Sequence, residues 1–278
     1  MIAPFAISLF LGGLLRVAGG QRHGTVLMGL AIVCGVLAAF LLTGTAEAFP
    51  PSGALGKAFY LILVAAGLGL LIDLESRARP LEELGLLILP PAALIWIAWP
   101  KIWAGPGFLE VLTWLAAWIA GTVWLFRFQA TAGQAGALAG SLLLGLAGAG
   151  AAGAALIADS VTFALFAAAV AASALGFALW RLAALVLLGS PGSFGATPLF
   201  GGAGALLVMV DLMIVQAPRV SLWALLVLVL LPFVLLPFKR LLVFDTTASR
   251  LITAFLVSVL GGGVAAAAVG IAFLSVTS

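Results

Sequence analysis

Charged residues are scarce in this chain of 278 residues, at 8% of the sequence against 65% for hydrophobic residues. A typical soluble domain is about one-quarter charged and roughly half apolar. A chain this apolar could not cover its own surface in water, so the composition excludes a soluble globular domain. It predicts an all-α bundle of transmembrane helices, because a helix pairs its backbone groups within its own segment.

Cysteine and histidine are nearly absent. Cys34 is the one cysteine and stands in an apolar run, so the chain has no internal disulfide and no cysteine metal site. His23 is the one histidine, which excludes bis-histidine haem ligation and leaves no basis for a Ser-His-Asp triad. We therefore expect no metal, no cofactor, no catalytic residue and no enzymatic activity.

Ten long apolar runs are bounded by charges, prolines or glycine-rich breaks. Most are close to the roughly 20 residues that a membrane-crossing helix needs. The connecting loops are short, so we expect one transmembrane domain over residues 1–278 and no soluble domain. The predicted spans are 2–19, 24–43, 54–74, 82–99, 108–128, 134–157, 160–189, 198–216, 220–243 and 249–274.

The basic residues indicate an orientation. Nine of the twelve lie in loops that close odd-numbered spans, and these loops are predicted to be cytoplasmic because Lys and Arg favour that side. Both termini are then predicted outside the cytoplasm. Abundant Ala, Gly and Leu are typical of bacterial proteins, so we expect the inner membrane. The nine are Arg16, Arg22, Arg77, Arg79, Arg127, Arg181, Lys239, Arg240 and Arg250.

The expected partner is the lipid bilayer. The net charge is +3, but the positive charges stand singly, so no nucleic-acid partner is expected. Gly136 and Gly140 begin a glycine-rich face in the sixth span, and small residues let helices approach closely. That span either packs within the chain or contacts another membrane protein or a second copy.

Asp211 is the acid that lies well inside a predicted span, five residues from its outer end. This corresponds to about 7 Å along a helix. A carboxylate at this depth costs energy unless it is paired or hydrated. Two interpretations follow: a proton or cation site in a water-filled cavity, or an interfacial carboxylate paired with Arg219, Lys57 or Lys101.

Arg181 and Trp118 are further candidates. Arg181 lies near an inner span end, where it either snorkels to the interface or binds an anion or lipid phosphate. Trp118 lies near the bilayer midplane, one helical turn after Trp114. Its ring either stacks on a ligand or packs against a neighbouring helix.

Prolines interrupt two predicted spans: Pro90 and Pro91 the fourth, Pro232 and Pro237 the ninth. Broken helices form substrate sites in many transporters, although proline is also common in ordinary membrane helices. The glycine-rich loop 189–197 either re-enters the membrane or stays at its surface. The charged segment 73–83 is predicted to be a solvated cytoplasmic loop.

Three functions fit these observations. A secondary transporter or permease fits the ten spans, and the few polar residues inside them favour a small or hydrophobic, lipid-like solute. A non-catalytic subunit or anchor of a larger membrane complex fits the glycine-rich faces. A membrane-embedded lipid-modifying enzyme ranks last, because Arg and Ser occur singly rather than in clusters.

Overall fold

The protein is an all-helical bundle. The computed structural model describes residues 1–75, 79–189, 192–238 and 246–277, and within these ranges 85% of the residues are helical and none is in a strand. The predicted all-α helix bundle is confirmed, whereas the number of spans and the sides of the two termini stay predictions. Seven helices are long and apolar enough to cross a membrane, which makes this a membrane protein.

The long helices lie where the apolar runs predict them. The ends agree within a few residues for most spans, and the run 160–189 forms one helix. These helices are α4 (Ala54–Leu74), α5 (Arg79–Ala104), α6 (Phe108–Ala135), α7 (Ala137–Ile157), α8 (Val161–Leu188), α9 and α10, which form one helix (Ala196–Gln216), and α12 (Thr247–Thr277).

Shorter helices occupy the other three predicted positions. They are α1 (Ile2–Ala18), α2 (Gly20–Leu27) with α3 (Leu30–Leu42), and α11 (Leu222–Leu228) with two 3₁₀ turns (Leu231–Phe233 and Leu236–Phe238). The count of ten crossings stays a prediction. Arg77, Lys239 and Arg240, which contribute to the predicted orientation, lie outside the described residues.

The proline pairs behave differently. The predicted interruption at Pro90 and Pro91 is wrong, because α5 continues through both residues. Adjacent prolines remove the partners of two carbonyls in a single turn, and their fixed φ angle is itself helical. The ninth predicted span is broken: α11 ends at Leu228, and the chain goes on in 3₁₀ turns around Pro232 and Pro237.

The glycine-rich face of α7 packs within the chain. A side chain at Gly148 would meet the carbonyl oxygen of Ala167 in α8 at 2.9 Å, and one at Gly150 would meet Leu228 at 2.6 Å. One at Gly153 would meet Val269 of α12 at 2.6 Å. These glycines therefore bring α8, α11 and α12 close to α7, and their face is already filled by the same chain.

The helix Ala196–Gln216 is the most deeply buried in the bundle. Asp73, at the end of α4, accepts hydrogen bonds from the backbone N–H groups of Ala196 and Thr197 at 2.8 and 2.7 Å, and from the Thr197 hydroxyl at 2.7 Å. A carboxylate at a helix N-terminus satisfies free donors and suits the helix dipole. Asp73 therefore fixes the start of this central helix. A residue in a solvated loop, as predicted for segment 73–83, would not have this role.

A π-helical turn (Leu199–Ala203) separates α9 from α10. Gly201 and Gly202 lie in this turn and pack against Val33 and Ile32 of α3, at distances that leave no room for larger side chains. Single π turns inside α-helices insert one extra residue and often occur at functional sites. Here the turn sets the rotation of α10, and therefore the direction in which Asp211 points.

Candidate functional site

A cavity of about 520 Å³ lies between α6, α7, α10 and α11. Small-molecule sites in proteins have volumes of about 300–1,000 Å³. Apolar side chains form nearly all of its wall. They come from α6 between Leu112 and Trp124, from α7 at Ala147 and Ala151, from α10 between Leu206 and Ile214, and from Leu222–Val229.

Small residues on α6 make room for this cavity. Ala116, Ala117, Ala120 and Gly121 recur at helical spacing and line the cavity, and Gly121 also lets Leu207 of α10 approach closely. Helix α11 ends at Leu228, next to Val229, the last residue of this wall. In a continuous helix the carbonyl of Leu228 would accept from residue 232, and proline has no N–H to donate. The Thr131 hydroxyl donates to the Pro232 carbonyl at 2.8 Å, which holds the broken segment against α6.

Asp211 is the ionisable residue in the wall of this cavity, which we call the Asp211 cavity. Its side chain is buried, with the residue 3% exposed. Among the described residues no hydrogen bond or ion pair reaches its carboxylate, and its Oδ2 atom is fully enclosed without a partner. Leaving a buried acceptor unpaired costs about 1–3 kcal/mol, and more for a charged one.

The lysines proposed as partners of Asp211 bind elsewhere. Lys57 Nζ donates to the Trp96 carbonyl at 3.0 Å. Lys101 Nζ donates to the Val215 carbonyl at 2.6 Å and lies 3.9 Å from Glu110. In the described part of the chain, Asp211 therefore lacks the interfacial pairing that would make it a purely structural residue.

The cavity opens sideways towards the lipid-facing surface. Trp223 is 72% exposed, and Leu112 and Leu226 are about half exposed, although all three line the cavity. The neighbouring surface of α6 is apolar as well, with Leu115 and Ile119 exposed. A hydrophobic molecule in the bilayer could therefore enter the cavity without passing through water.

The other candidate residues lie away from this cavity. Trp118 is on α6 but outside its wall and is 37% exposed, whereas Trp124 and Trp223 line it. Pro90 and Pro91 lie in α5 and do not line it. The structure therefore separates Asp211 from the prolines and from Trp118.

Arg181 is buried at the opposite end of the bundle from the Asp211 cavity, and it does not snorkel to an exposed position. Its Nη2 donates to the Ser193 carbonyl at 3.3 Å, and its guanidinium lies over the Phe177 ring at 5.1 Å. The space beside it, which Asp73 also lines, is about 30 Å³. That volume is suited to about one water molecule and is too small for a lipid phosphate.

The loop 189–197 is only partly described, because Ser190 and Pro191 lie outside the described residues. Its later part turns into the bundle: Phe194 is buried and packs edge-on against Phe128, with ring centroids 5.5 Å apart. A second, polar cleft of about 670 Å³ lies beside it and contains Glu75, Glu82 and Glu83. Gln129 donates to Glu82 there at 2.7 Å.

Metal-binding chemistry has no visible basis in the structure. In residues 1–75, 79–189, 192–238 and 246–277, no three His, Cys, Asp or Glu side chains come together as a possible metal site. Comparisons of the chain with protein-family models, curated proteins and solved structures found no match. The geometry of the Asp211 cavity is therefore the basis for a functional assignment.

Sequence reasoning selected Asp211 but missed the cavity around it. The signal was present in α6, where Ala116, Ala117, Ala120 and Gly121 form a small-residue face. That face has the same pattern as a close helix–helix contact. The local sequence therefore does not distinguish a face that is packed throughout from one that, as here, lines a cavity.

Proposed function

We propose that this chain is a secondary transporter or permease for a hydrophobic, lipid-like solute, and that the Asp211 cavity is its solute site. The observation that supports the proposal most strongly is the cavity itself. It is of ligand size, apolar, open towards lipid and carries a buried carboxylate without a partner among the described residues. Buried ionisable groups within membrane spans commonly mark solute or ion pathways.

The proposed topology has ten crossings with both termini outside the cytoplasm, in a bacterial inner membrane. Helix α1 has 17 residues, which is about 25 Å at 1.5 Å per residue and close to the thickness of the hydrocarbon core. Helices α2 and α3 together, and α11 with its 3₁₀ turns, would make the other two short crossings. The sorting of basic residues between loops supports this arrangement.

Transport requires that the cavity face the two sides of the membrane in turn. The segment after Leu228 is the element best suited to move, because 3₁₀ turns around Pro232 and Pro237 replace a regular helix there. In this proposal the solute enters sideways between α6 and α11, and Asp211 binds it or a coupling cation. The segment after Leu228 then rocks against α6 and opens the deeper end of the Asp211 cavity.

Copurification tests this proposal. The wild-type protein would be purified in mild detergent and examined by native mass spectrometry. We expect a single chain or homo-oligomer with a bound lipid-like molecule. Ala117→Phe places a ring in the cavity and should remove that molecule, whereas Ala149→Phe, at an exposed position of α7, should keep it. Equal retention by both variants would count against the cavity as the solute site.

A non-catalytic subunit of a larger membrane complex is the second candidate, and α12 favours it. Gly263, Ala266, Ala267 and Gly270 form an exposed face, and no described atom lies within 4 Å of where side chains at Gly263 and Gly270 would begin. Exposed small residues at this spacing are typical of contacts between membrane helices. Stoichiometric partner proteins in the same purification would favour this candidate over the permease.

A further inference from the structure

We infer that the solute is a cationic amphiphile, a hydrocarbon chain with an ammonium headgroup that pairs with Asp211. This inference rests on the proposed function and names the chemical class of its solute. It depends on three features of the Asp211 cavity: the charge in its wall, its length and its aromatic residues.

The charge selects the sign of the headgroup. The Oδ2 atom of Asp211 is enclosed without a partner, and among the described residues nothing donates a hydrogen bond to it. An ammonium headgroup supplies both hydrogen-bond donors and the positive charge that favours an ionised carboxylate. Of the basic residues predicted as partners of Asp211, Lys57 and Lys101 donate to backbone carbonyls, and Arg219 is exposed. No Lys or Arg belongs to the described wall, so an anionic headgroup would find no opposite charge there.

The length of the cavity suits a single hydrocarbon chain. Along α6 its wall runs from Leu112 to Trp124, about 18 Å at 1.5 Å per residue. On α10 the wall runs from Leu206 to Ile214, so Asp211 lies nearer the outer end. A headgroup at Asp211 leaves the deeper, wholly apolar part of the cavity for the chain.

An aromatic ring in the wall adds to the attraction for a cation. Trp223 lines the cavity in the first turn of α11, at the end where α10 carries Asp211, and tryptophan faces attract ammonium groups more strongly than those of other aromatic residues. Trp124 lines the opposite, deeper end, where it is stacked on Phe128 with ring centroids 5.1 Å apart. The hydrocarbon chain contributes little selectivity, because lipid is as apolar as the wall. Discrimination therefore depends on the headgroup.

A binding measurement in lipid nanodiscs tests this inference. The protein would be reconstituted in phosphatidylcholine, and tryptophan fluorescence would follow titration with dodecylamine or dodecanol at a few mole per cent of the lipid, with empty nanodiscs as the reference for partitioning. Both probes donate a hydrogen bond and share one chain, so the pair isolates the effect of charge. We expect saturable binding with dodecylamine at least about tenfold tighter than dodecanol.

Two variants test whether the preference for dodecylamine over dodecanol comes from Asp211. Asp211→Asn keeps the shape of the side chain, removes its charge and should bring the two affinities together. Glu110→Gln removes an acid that pairs with Lys101 outside the cavity and should leave the preference unchanged. A thermal melt of each variant in the same nanodiscs checks that it is folded.

The results separate the two proposals. Saturable binding of both probes with equal affinity, unchanged by Asp211→Asn, would overturn the cationic class while leaving a hydrophobic solute in place. If neither probe binds saturably to the folded wild-type protein, the cavity as a solute site is overturned with it.

Discussion

Asp211 and Asp73 show how two acids in one bundle have opposite roles. Asp73 accepts three hydrogen bonds at the start of the central helix, at 2.7–2.8 Å. Asp211, near the other end of that helix, accepts none from the described residues. A carboxylate with donors stabilises the fold, whereas a buried one without them lowers stability.

Asp211→Leu should therefore stabilise the protein and abolish the proposed transport. Leucine has a similar size and removes a buried acceptor that lacks a partner among the described residues, so we expect a gain of about 1–3 kcal/mol in the free energy of unfolding. Thermal unfolding in detergent would show a higher Tm. A large fall in Tm would mean that the carboxylate has a structural partner, and that the proposed site is wrong.

Asp73→Asn should have the opposite effect on stability. The amide offers one oxygen in place of two, so at least one of the N–H groups of Ala196 and Thr197 loses its acceptor. We expect a loss of about 1–3 kcal/mol from charge-assisted hydrogen bonds at a helix N-terminus. The same Tm measurement checks this, and an unchanged Tm would show that the cap contributes little.

Glu47 makes the stability of the loop between α3 and α4 depend on pH. Its carboxylate accepts from the backbone N–H groups of Ser52 and Gly53 at 2.7 and 2.9 Å. The bonds to Gly53 and Ser52 lower the pKa of Glu47 below its ordinary value. Because the folded pKa is lowered, the stabilisation is present above the unfolded value, about 4.3, and is lost as pH falls through the folded value.

Glu47→Gln tests this linkage. Near neutral pH the variant should have a slightly lower Tm than the wild type, because the carboxylate is exposed and water screens its interactions. The difference should shrink as both proteins are taken to acidic pH, where the wild-type carboxylate becomes protonated. A difference in Tm that stays constant between neutral and acidic pH would contradict the assigned role.

At the scale of helices, the sequence predicts where a helix begins and ends better than it predicts caps and irregular turns. The prediction 54–74 coincides with α4, and 160–189 differs from α8 by one residue at each end. Apolar length alone determines these bounds. It cannot show that Asp73 caps a helix 123 residues further along the chain, or that the chain makes a π turn at Leu199–Ala203, because both depend on tertiary contacts.

The two proline pairs also show that tertiary contacts, rather than the local sequence, decide whether a helix breaks. Pro90 and Pro91 lie inside a continuous helix, whereas Pro232 lies in a broken one, although both pairs interrupt apolar runs in the sequence. The difference comes from the neighbours: the Thr131 hydroxyl satisfies the Pro232 carbonyl and stabilises the break. A donor on another helix cannot be recognised from the local sequence.

Pro232→Ala should close part of the Asp211 cavity. Alanine restores the N–H that the Leu228 carbonyl would accept in a regular helix, so α11 can continue past its present end. We expect binding of the cavity ligand to weaken about tenfold in the nanodisc titration. Pro90→Ala is the matched control, because α5 is already continuous and Pro90 lies away from the cavity. Similar effects of both substitutions would contradict a specific role for the break.

For the whole molecule, the number of crossings decides whether two distant residues share a side of the membrane. If α11 and its 3₁₀ turns cross, Ser52 and Ser275 lie on the same outer side; if only the seven long helices cross, they lie on opposite sides. Cys34 is the one native cysteine, so a Cys34→Ala background allows single cysteines to be placed at will.

A membrane-impermeant maleimide tests this topology in intact cells. We expect Ser52→Cys and Ser275→Cys to be labelled, and Glu83→Cys, in the predicted cytoplasmic loop, to react only after permeabilisation. Labelling of Ser52→Cys without Ser275→Cys would show an odd number of crossings between them. The proposed ninth crossing would then be wrong, and the orientation of the cavity relative to the two sides of the membrane would have to be revised.

The central claim is that a solute crosses the bilayer through the Asp211 cavity. Its most direct test is the flux of labelled dodecyltrimethylammonium, a permanently charged amphiphile, across phosphatidylcholine vesicles with and without the reconstituted protein. We expect the wild type to accelerate its movement, and Ala117→Phe and Asp211→Asn to reduce the rate towards that of protein-free vesicles. A wild-type rate equal to that of protein-free vesicles, or one unchanged by both substitutions, would contradict the claim.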